Sequence, residues 1–252
     1  MKLKIATWNI NCGMNAKDEI IPLNLIYDLI WVYDFDVLLL QEIVTSTKFQ
    51  VITPQQISRN TQLKYFTEYE LSSSHQLKDS FMGLSILSKH PLELDEFFEL
   101  NNPNFRLEVD GRTMMSHKKG FLFAQIKKFD LYLGTGHCPS FHYFKKNDVE
   151  YKDIIYRPLE KKFIDLLREH ERIIVGGDFN TSNIMTVMPD ISRLYTQVIH
   201  GITYPKESHQ TDYIFLNNGL SALNSQIVEG EMDHYLCVAE VALKEERNDL
   251  AD

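Results

Sequence analysis

Apolar residues in this chain come as short alternating runs broken by a few helical stripes. Leu3, Ile5 and Thr7 alternate with Lys2, Lys4 and Ala6, which predicts a first strand leading into Trp8-Asn9-Ile10-Asn11. Pro22 followed by Leu25, Ile26, Leu29, Ile30 and Tyr33 gives a stripe at helical spacing with proline near its start. Val37-Leu38-Leu39-Leu40 is apolar throughout, as a strand covered on both faces should be, and it ends at Gln41-Glu42. Thr53-Pro54-Gln55-Gln56 fits a capping box with proline at the first helical position, so a second helix is expected there.

Residues 83–88 predict a further strand, stopped by His90-Pro91. Residues 121–126 and 131–134 flank Lys127-Lys128-Phe129-Asp130 and predict a hairpin. Pro158 opens a stripe of Leu159, Phe163, Leu166 and Leu167, a helix ahead of an Ile173-Ile174-Val175 strand, and residues 213–216 and 238–241 complete the set. Helices are too few and too unevenly placed for a regular βαβ alternation, and hairpins imply antiparallel pairing. The pattern therefore predicts an α/β (α+β) fold of two packed, mixed but mainly antiparallel sheets with helices on their outer faces. No Pro/Gly/Ser linker, low-complexity tract or internal repeat interrupts the 252 residues, so one domain over 1–252 is expected.

Composition narrows the function. At 44% hydrophobic the chain can bury a large core, while the formal net charge of −9 is the wrong sign for a surface built to neutralise phosphate backbones. Nucleic acid stays a possible partner that the charge does not favour. The basic pairs Lys118-Lys119, Lys127-Lys128 and Lys161-Lys162 read as turn and helix-surface charges. Residues 1–7 contain no apolar stretch of export or membrane-spanning length, so no transmembrane segment and a cytoplasmic location are expected. Cys12, Cys138 and Cys237 match neither a disulfide framework nor a zinc pattern and read as small inner-sheet residues; a redox role for Cys12 and Cys138 is a weaker alternative. Nothing in the sequence implies a protein partner.

The chemistry-bearing residues gather where strands end. Gly176-Gly177-Asp178-Phe179-Asn180 closes an apolar run with two residues that lack side chains, then places a carboxylate and a carboxamide on one side while Phe179 points away. Trp8-Asn9-Ile10-Asn11, Gln41-Glu42, Thr135-Gly136-His137, Thr211-Asp212-Tyr213 and Met232-Asp233-His234 put further polar groups at apolar strand ends, where burial costs several kcal/mol (~2–7) per unsatisfied group. If Glu42, Asp178, Asp212 and Asp233 converge, mutual repulsion would drive some to protonate, and a bound cation would remove that penalty. Oxygen donors without a thiolate cluster point to Mg²⁺ or Mn²⁺ rather than zinc.

In their order these segments resemble the endonuclease/exonuclease/phosphatase superfamily of metal-dependent phosphoesterases, the relatives of pancreatic DNase and of exonuclease III-type repair nucleases. Thr7-Trp8-Asn9-Ile10-Asn11 resembles its opening strand, Leu40-Gln41-Glu42 its metal-binding glutamate and Gly83-Leu84-Ser85-Ile86-Leu87-Ser88 its Gly-x-x-Ile-Leu-Ser strand. Thr135-Gly136-His137, Gly177-Asp178-Phe179-Asn180, Thr211-Asp212-Tyr213-Ile214-Phe215 and Asp233-His234 are similar to the four later motifs. The resemblance implies a four-layer α/β/β/α sandwich that cleaves a phosphate ester by in-line attack of water. It implies Asp178 as the water-orienting group, Asn180 beside it on the phosphate, and His234, held by Asp212, on a non-bridging oxygen. Glu42, assisted by Asn9 and Asn11, would hold the metal with Asp233, and His137 would touch the phosphate or protonate the leaving oxygen. Met232 and Thr211 stand where serine and isoleucine are usual, and some relatives have aspartate at the Asn11 position. Arg112, just before a strand leading toward His137, either binds the substrate phosphate or is a solvated surface charge. Arg157 reads as structural; His142 lies near enough to His137 to line a rim, and Phe141, Tyr143 and Phe144 either face substrate or pack their loop. The substrate stays open among a small phosphorylated metabolite, a phospholipid head group and a short nucleic acid. The alternative reading is a catalytically silent phosphate-binding module of the same fold.

Overall fold

The structure, a computed structural model, describes residues 1–74, 76–109 and 112–244; the side chains of Leu94, Asp95, Val109 and Arg112 fall outside that description. Sheet one runs β13-β14-β1-β2-β4-β3 and sheet two β11-β12-β10-β9-β8-β5, six strands each. In sheet one, β1 is Lys2–Asn9, β2 Val37–Ser46, β3 Tyr65–Ser73, β4 Phe81–Ser88, β13 Leu220–Val228 and β14 Leu236–Leu243. In sheet two, β5 is Glu93–Glu99, β8 Gly120–Ile126, β9 Leu131–His137, β10 Arg172–Asp178, β11 Thr196–Gln197 and β12 Asp212–Leu216. A separate hairpin pairs β6 (Arg106–Val109) with β7 (Arg112–Met115).

The expected mixed sandwich is present. Each sheet has one parallel pair at its centre, β1 with β2 and β9 with β10, and antiparallel neighbours on either side. The alternation of apolar residues explains the layers. Leu3, Ile5, Val37, Leu39 and Ile174 point between the sheets, joining Leu133, Ile214 and Val241. Their neighbours Ala6, Trp8, Leu38 and Leu40 face outward onto Ile26 and Ile30 of α1 (Leu23–Tyr33) and Ile57 of α2 (Pro54–Asn60). On the far side, Ile173, Val175 and Phe179 pack with Leu159, Phe163 and Leu166 of α3 (Tyr156–Glu169). Side chains of period two thus supply two apolar faces from one strand.

Local signals hold up with small shifts. The capping box at Thr53 is complete: Gln56 N donates to Thr53 Oγ1 at 3.3 Å and Thr53 N donates to Gln56 Oε1 at 3.1 Å. α3 begins two residues ahead of Pro158, which is tolerated because a first-turn N–H has no intrahelical acceptor. Arg157 pairs with the buried Glu160 at 2.6 Å, a structural role. Of the three cysteines only Cys237 sits between the sheets. Cys12 lies in a 3₁₀ turn at φ 56° and Cys138 beyond the end of β9, both fully buried, with burial pushing the Cys12 thiol up to about 12. Among the described residues no helix is long and apolar enough to cross a membrane.

Glycines 176 and 177 are required by close approach. A Cβ on Gly176 would stand 2.9 Å from Leu39 Cδ1 of the facing sheet; one on Gly177, whose φ is 154°, would stand 2.2 Å from the Gly136 carbonyl oxygen of β9. Gly177→Ala is expected to lower the unfolding free energy by about 2–4 kcal/mol. Gly230→Ala, where a Cβ meets nothing within 4 Å, should change it by less than about 0.5 kcal/mol. Urea denaturation of both variants checks the pair, and equal midpoints would show that β9 and β10 do not approach this closely.

Candidate active site

The four central parallel strands all end on the same side of the sandwich. Asn9 closes β1, Glu42 is the bulged residue between Gln41 and Ile43 of β2, His137 closes β9 and Asp178 closes β10. β12 and β14 run antiparallel to β10 and β1, so Asp212 at the start of β12 and Asp233-His234 just before β14 come to that same end. Topology alone therefore collects the residues, as it does where ligands bind beyond the carboxyl ends of parallel strands. Asn11, Glu42 and Asn180 have φ of 43°, 51° and 50°, the left-handed conformation that non-glycine residues rarely adopt and that clusters at functional sites.

Asp178 is the hub. Its Oδ1 accepts the backbone N–H of Asn180 at 2.9 Å, and its Oδ2 accepts Asn9 Nδ2 at 3.1 Å and Asn180 Nδ2 at 3.2 Å. His137 Nε2 and His234 Nε2 stand 3.5 Å and 3.8 Å from the same Oδ2. His234 Nδ1 is 2.9 Å from Asp212 Oδ2, whose backbone N–H donates to Thr203 Oγ1 at 3.0 Å. Trp8 Nε1 donates to the His234 carbonyl at 3.2 Å and fixes that loop to β1. Burial lifts the Asp178 carboxyl to about 7, against the pull of His234, and lifts Asp233 to about 6. Burial also opposes charge on His234, but the Asp212 and Asp178 carboxylates outweigh it and raise the imidazole to about 10.

Beneath the hub the sheets are tied by Gln41, fully buried, whose Nε2 donates to Thr135 Oγ1 of sheet two at 2.8 Å and to Thr7 Oγ1 of sheet one at 3.1 Å. Asn9 Oδ1 accepts the Asn11 N–H at 3.1 Å and keeps one lone pair. Asn180 departs from its expected place on the phosphate. Both of its amide hydrogens are engaged, one on the Cys138 carbonyl at 2.9 Å and one on Asp178 at 3.2 Å.

Oxygen donors suited to a divalent cation are present. Glu42 Oε1 lies 3.6 Å from His137 Nε2, the same nitrogen that stands 3.5 Å from Asp178 Oδ2, and Asp233 Oδ1 is buried with no hydrogen-bond partner among the described residues. A buried orphan carboxylate oxygen is costly, and a hard cation is the partner it fits. Asp178, Asp212 and His234 also bring ligand atoms within 4.8 Å of one another, although the His234 Nδ1 contact already occupies Asp212 Oδ2.

Lys119 corrects the sequence reading. It was expected as a turn charge, yet it is only 8% exposed and its Nζ sits 2.9 Å and 3.0 Å from the two ring nitrogens of His137. Burial lowers its pKa, opposed by Glu42 and Asp178. The sequence carried no sign of this: Lys119 precedes Gly120, and only the pairing of Gly120 with His137 across β8 and β9 brings it inward. Lys118, its neighbour, is the surface charge expected, bonded to Glu99 at 2.8 Å. The Arg112 side chain falls outside the described residues. His142 lines the cleft, as do Tyr143 and Phe144, whereas Phe141 is buried in the core. Tyr204 and Lys206, on a loop the sequence did not mark, complete the wall of a cavity of about 730 Å³.

A two-sheet sandwich flanked by helices, with a carboxylate–histidine hub in a cleft at the carboxyl ends of its central strands, places the chain in the α/β/β/α fold class. The family model described as "Endonuclease/Exonuclease/phosphatase family" matches residues 6–234, and the chain belongs to that family, whose members are generally metal-dependent phosphoesterases. Among solved structures it is similar to an endonuclease/exonuclease/phosphatase from Beutenbergia cavernae, with TM-score 0.73, 15% identity and coverage of 96% of this chain and 72% of the other. The human Nocturnin catalytic domain with bound sulfate gives TM-score 0.64, 15% identity and coverage of 96% and 95%. A 3′ phosphatase, NExo, from Neisseria bound to a product DNA hairpin gives 0.61, 15%, 96% and 100%. No curated protein matches the sequence.

If Glu42 and Asp233 form a cation site, Mg²⁺ or Mn²⁺ added to metal-free protein should raise its melting temperature by about 5 °C at saturating concentration. Glu42→Gln combined with Asp233→Asn should remove that shift in differential scanning fluorimetry. A shift that persists in the double variant would place the cation elsewhere.

Proposed function

We propose that this chain is a phosphoesterase dependent on Mg²⁺ or Mn²⁺, folded as one unit over 1–252, that hydrolyses a phosphodiester or phosphomonoester by in-line attack of water. The observation that carries the reading is Asp178 Oδ2, a buried carboxylate oxygen reached from both sheets by Asn9, Asn180, His137 and His234. Such an oxygen is held in one place, beside two histidines, at the inner end of a cleft large enough for a small ester. The sulfate bound to Nocturnin and the product DNA hairpin bound to the 3′ phosphatase NExo support a tetrahedral phosphoryl centre in this fold.

Glu42 and Asp233, with Asn9 and Asn11 beside them, would hold the cation; when bound it neutralises phosphoryl charge. Asp178 orients the attacking water and takes its proton. Asn180 and Asn9 keep Asp178 in position through the hydrogen bonds described above. His234, paired through Nδ1 with Asp212, presents Nε2–H to a non-bridging oxygen as negative charge develops there. His137 faces the phosphoryl or leaving oxygen. Lys119 lines the cleft beside it: an ammonium has only donors, so it bonds a ring nitrogen that carries a lone pair and brings positive charge to the wall of the site.

The test is hydrolysis of bis(4-nitrophenyl) phosphate with Mg²⁺ and with EDTA. EDTA should abolish turnover, and Asp178→Asn should lower kcat by about 10³-fold at unchanged fold by circular dichroism. Activity surviving both treatments would falsify the mechanism.

Lys119→Met tests the buried cation. It should lower kcat/KM by about 10²-fold, with Lys119→Arg recovering part of the loss. Wild-type kinetics in Lys119→Met would make the ammonium a packing feature only.

A further inference from the structure

The wall of the cleft has a chemical bias that the catalytic centre does not explain. Met82, 3% exposed, packs with Cys12 and Met14, while Met114 and Met115 stand with Tyr143 and Phe144 beside the polar groups of the cleft. Across from them Tyr204 stands 4.7 Å from the His234 ring and 5.7 Å from that of His142. Among the described residues no leucine, isoleucine or valine lines this cavity. The contrast lies on the same molecule: a second cavity of about 430 Å³ beside α1 is lined by aliphatic residues, among them Ile20, Leu25, Leu29 and Val228. Thioethers and rings make favourable contacts with the faces and edges of aromatic groups, whereas a saturated chain gains nothing from them beyond buried area.

The wall is anchored rather than loose. The Tyr143 hydroxyl donates to the Met114 sulfur at 2.7 Å, and Tyr143 meets Phe144 edge-on at 5.5 Å. Phe144 packs on Phe105 at 5.4 Å, and Phe105 in turn meets Phe141 and Tyr151 of the core at 5.7 and 4.9 Å. Tyr143 and Met115 remain 44% and 45% exposed, so their apolar surface is open to a ligand.

Charge points the same way. Four carboxylates line the cavity (Asp18, Glu42, Asp178 and Asp233) against two lysines, Lys119 and Lys206. With the His234 imidazole held charged by its carboxylate neighbours, one divalent ion would leave a single positive charge in the cavity. Such a cleft accommodates one phosphoryl group and repels a ligand carrying several.

We propose that the methionine–aromatic wall is a subsite for a planar aromatic substituent on a singly phosphorylated ester, and that it sets the substrate class of this enzyme. The inference rests on the phosphoesterase reading for its kinetic arm alone. Its occupant is an uncharged aryl or heteroaryl group joined to the phosphoryl centre that Asp178 and His234 face. Saturated chains and polyphosphorylated compounds are selected against.

The experiment has two arms. In the first, kcat/KM is measured with Mg²⁺ for methyl, cyclohexyl and phenyl 4-nitrophenyl phosphate, which share a leaving group and differ only in the retained substituent. Phenyl is expected to exceed methyl by at least about tenfold and cyclohexyl by about three- to tenfold. Met114→Ser with Tyr143→Ser should bring the phenyl-to-cyclohexyl ratio to about one. In the second arm, binding of phenylphosphonate, cyclohexylphosphonate and methylphosphonate to the Asp178→Asn variant is measured by calorimetry with Mg²⁺, and the same order is expected. Turnover without aryl preference, or a preference untouched by the double substitution, overturns the subsite and leaves the phosphoesterase reading standing. Aryl-selective binding with no hydrolysis of any ester upholds the subsite and overturns the hydrolase. Cyclohexyl equal to or above phenyl in both arms overturns the aromatic assignment.

Discussion

The structure depends on one buried carboxylate. Asp178 lies at the seam between two sheets, is almost wholly removed from water, and is reached from both sides by neutral donors, Asn9 from sheet one and Asn180 from its own loop. Each donor lessens the desolvation cost, about 1–3 kcal/mol for each unmade bond, but only while both sheets keep their relative position. Burial still raises the group to about 7, so compensation is incomplete. The residual imbalance is what the proposed mechanism asks of an oxygen that takes up a proton.

Strand direction does the assembling. Each sheet carries one parallel pair with antiparallel neighbours, so the ends of β1, β2, β9 and β10 and the starts of β12 and β14 converge although their residues span most of the chain. The sharp turns at those ends take left-handed backbone at Asn11, Glu42 and Asn180. Conformational strain and buried polarity are thus concentrated at one end, while the apolar layers behind it hold the frame.

Much of this was legible in the sequence because central strands are covered on both faces. The alternation in Leu3 to Trp8, and the unbroken run at Val37 to Leu40, follow from two apolar layers reading one strand. The edge strands were not legible. β3 is nowhere fully buried and β13 is mostly exposed, so neither carries a strong period-two signal. Asp178, Glu42 and His234 stood out as polar residues at apolar strand ends. Lys119 did not, because a lysine beside another lysine looks solvated, and only the pairing of β8 with β9 shows which of the two turns inward. Tyr204 and Lys206 lie on a loop whose path depends on tertiary contacts such as the Tyr235 N–H on the Thr203 carbonyl.

The Gln41 amide, bonded at once to Thr7 and Thr135, makes the two halves of the sandwich mechanically interdependent at the depth of the cleft. A slip of one layer past the other by even an ångström would pull Asn9 off Asp178, where a distance of 3.1 Å leaves little slack. Substitutions at Leu39 or Ile174 therefore act on the Asn9–Asp178 contact through shear of the layers, and the geometry of the hub becomes a gauge of how well the interior is packed.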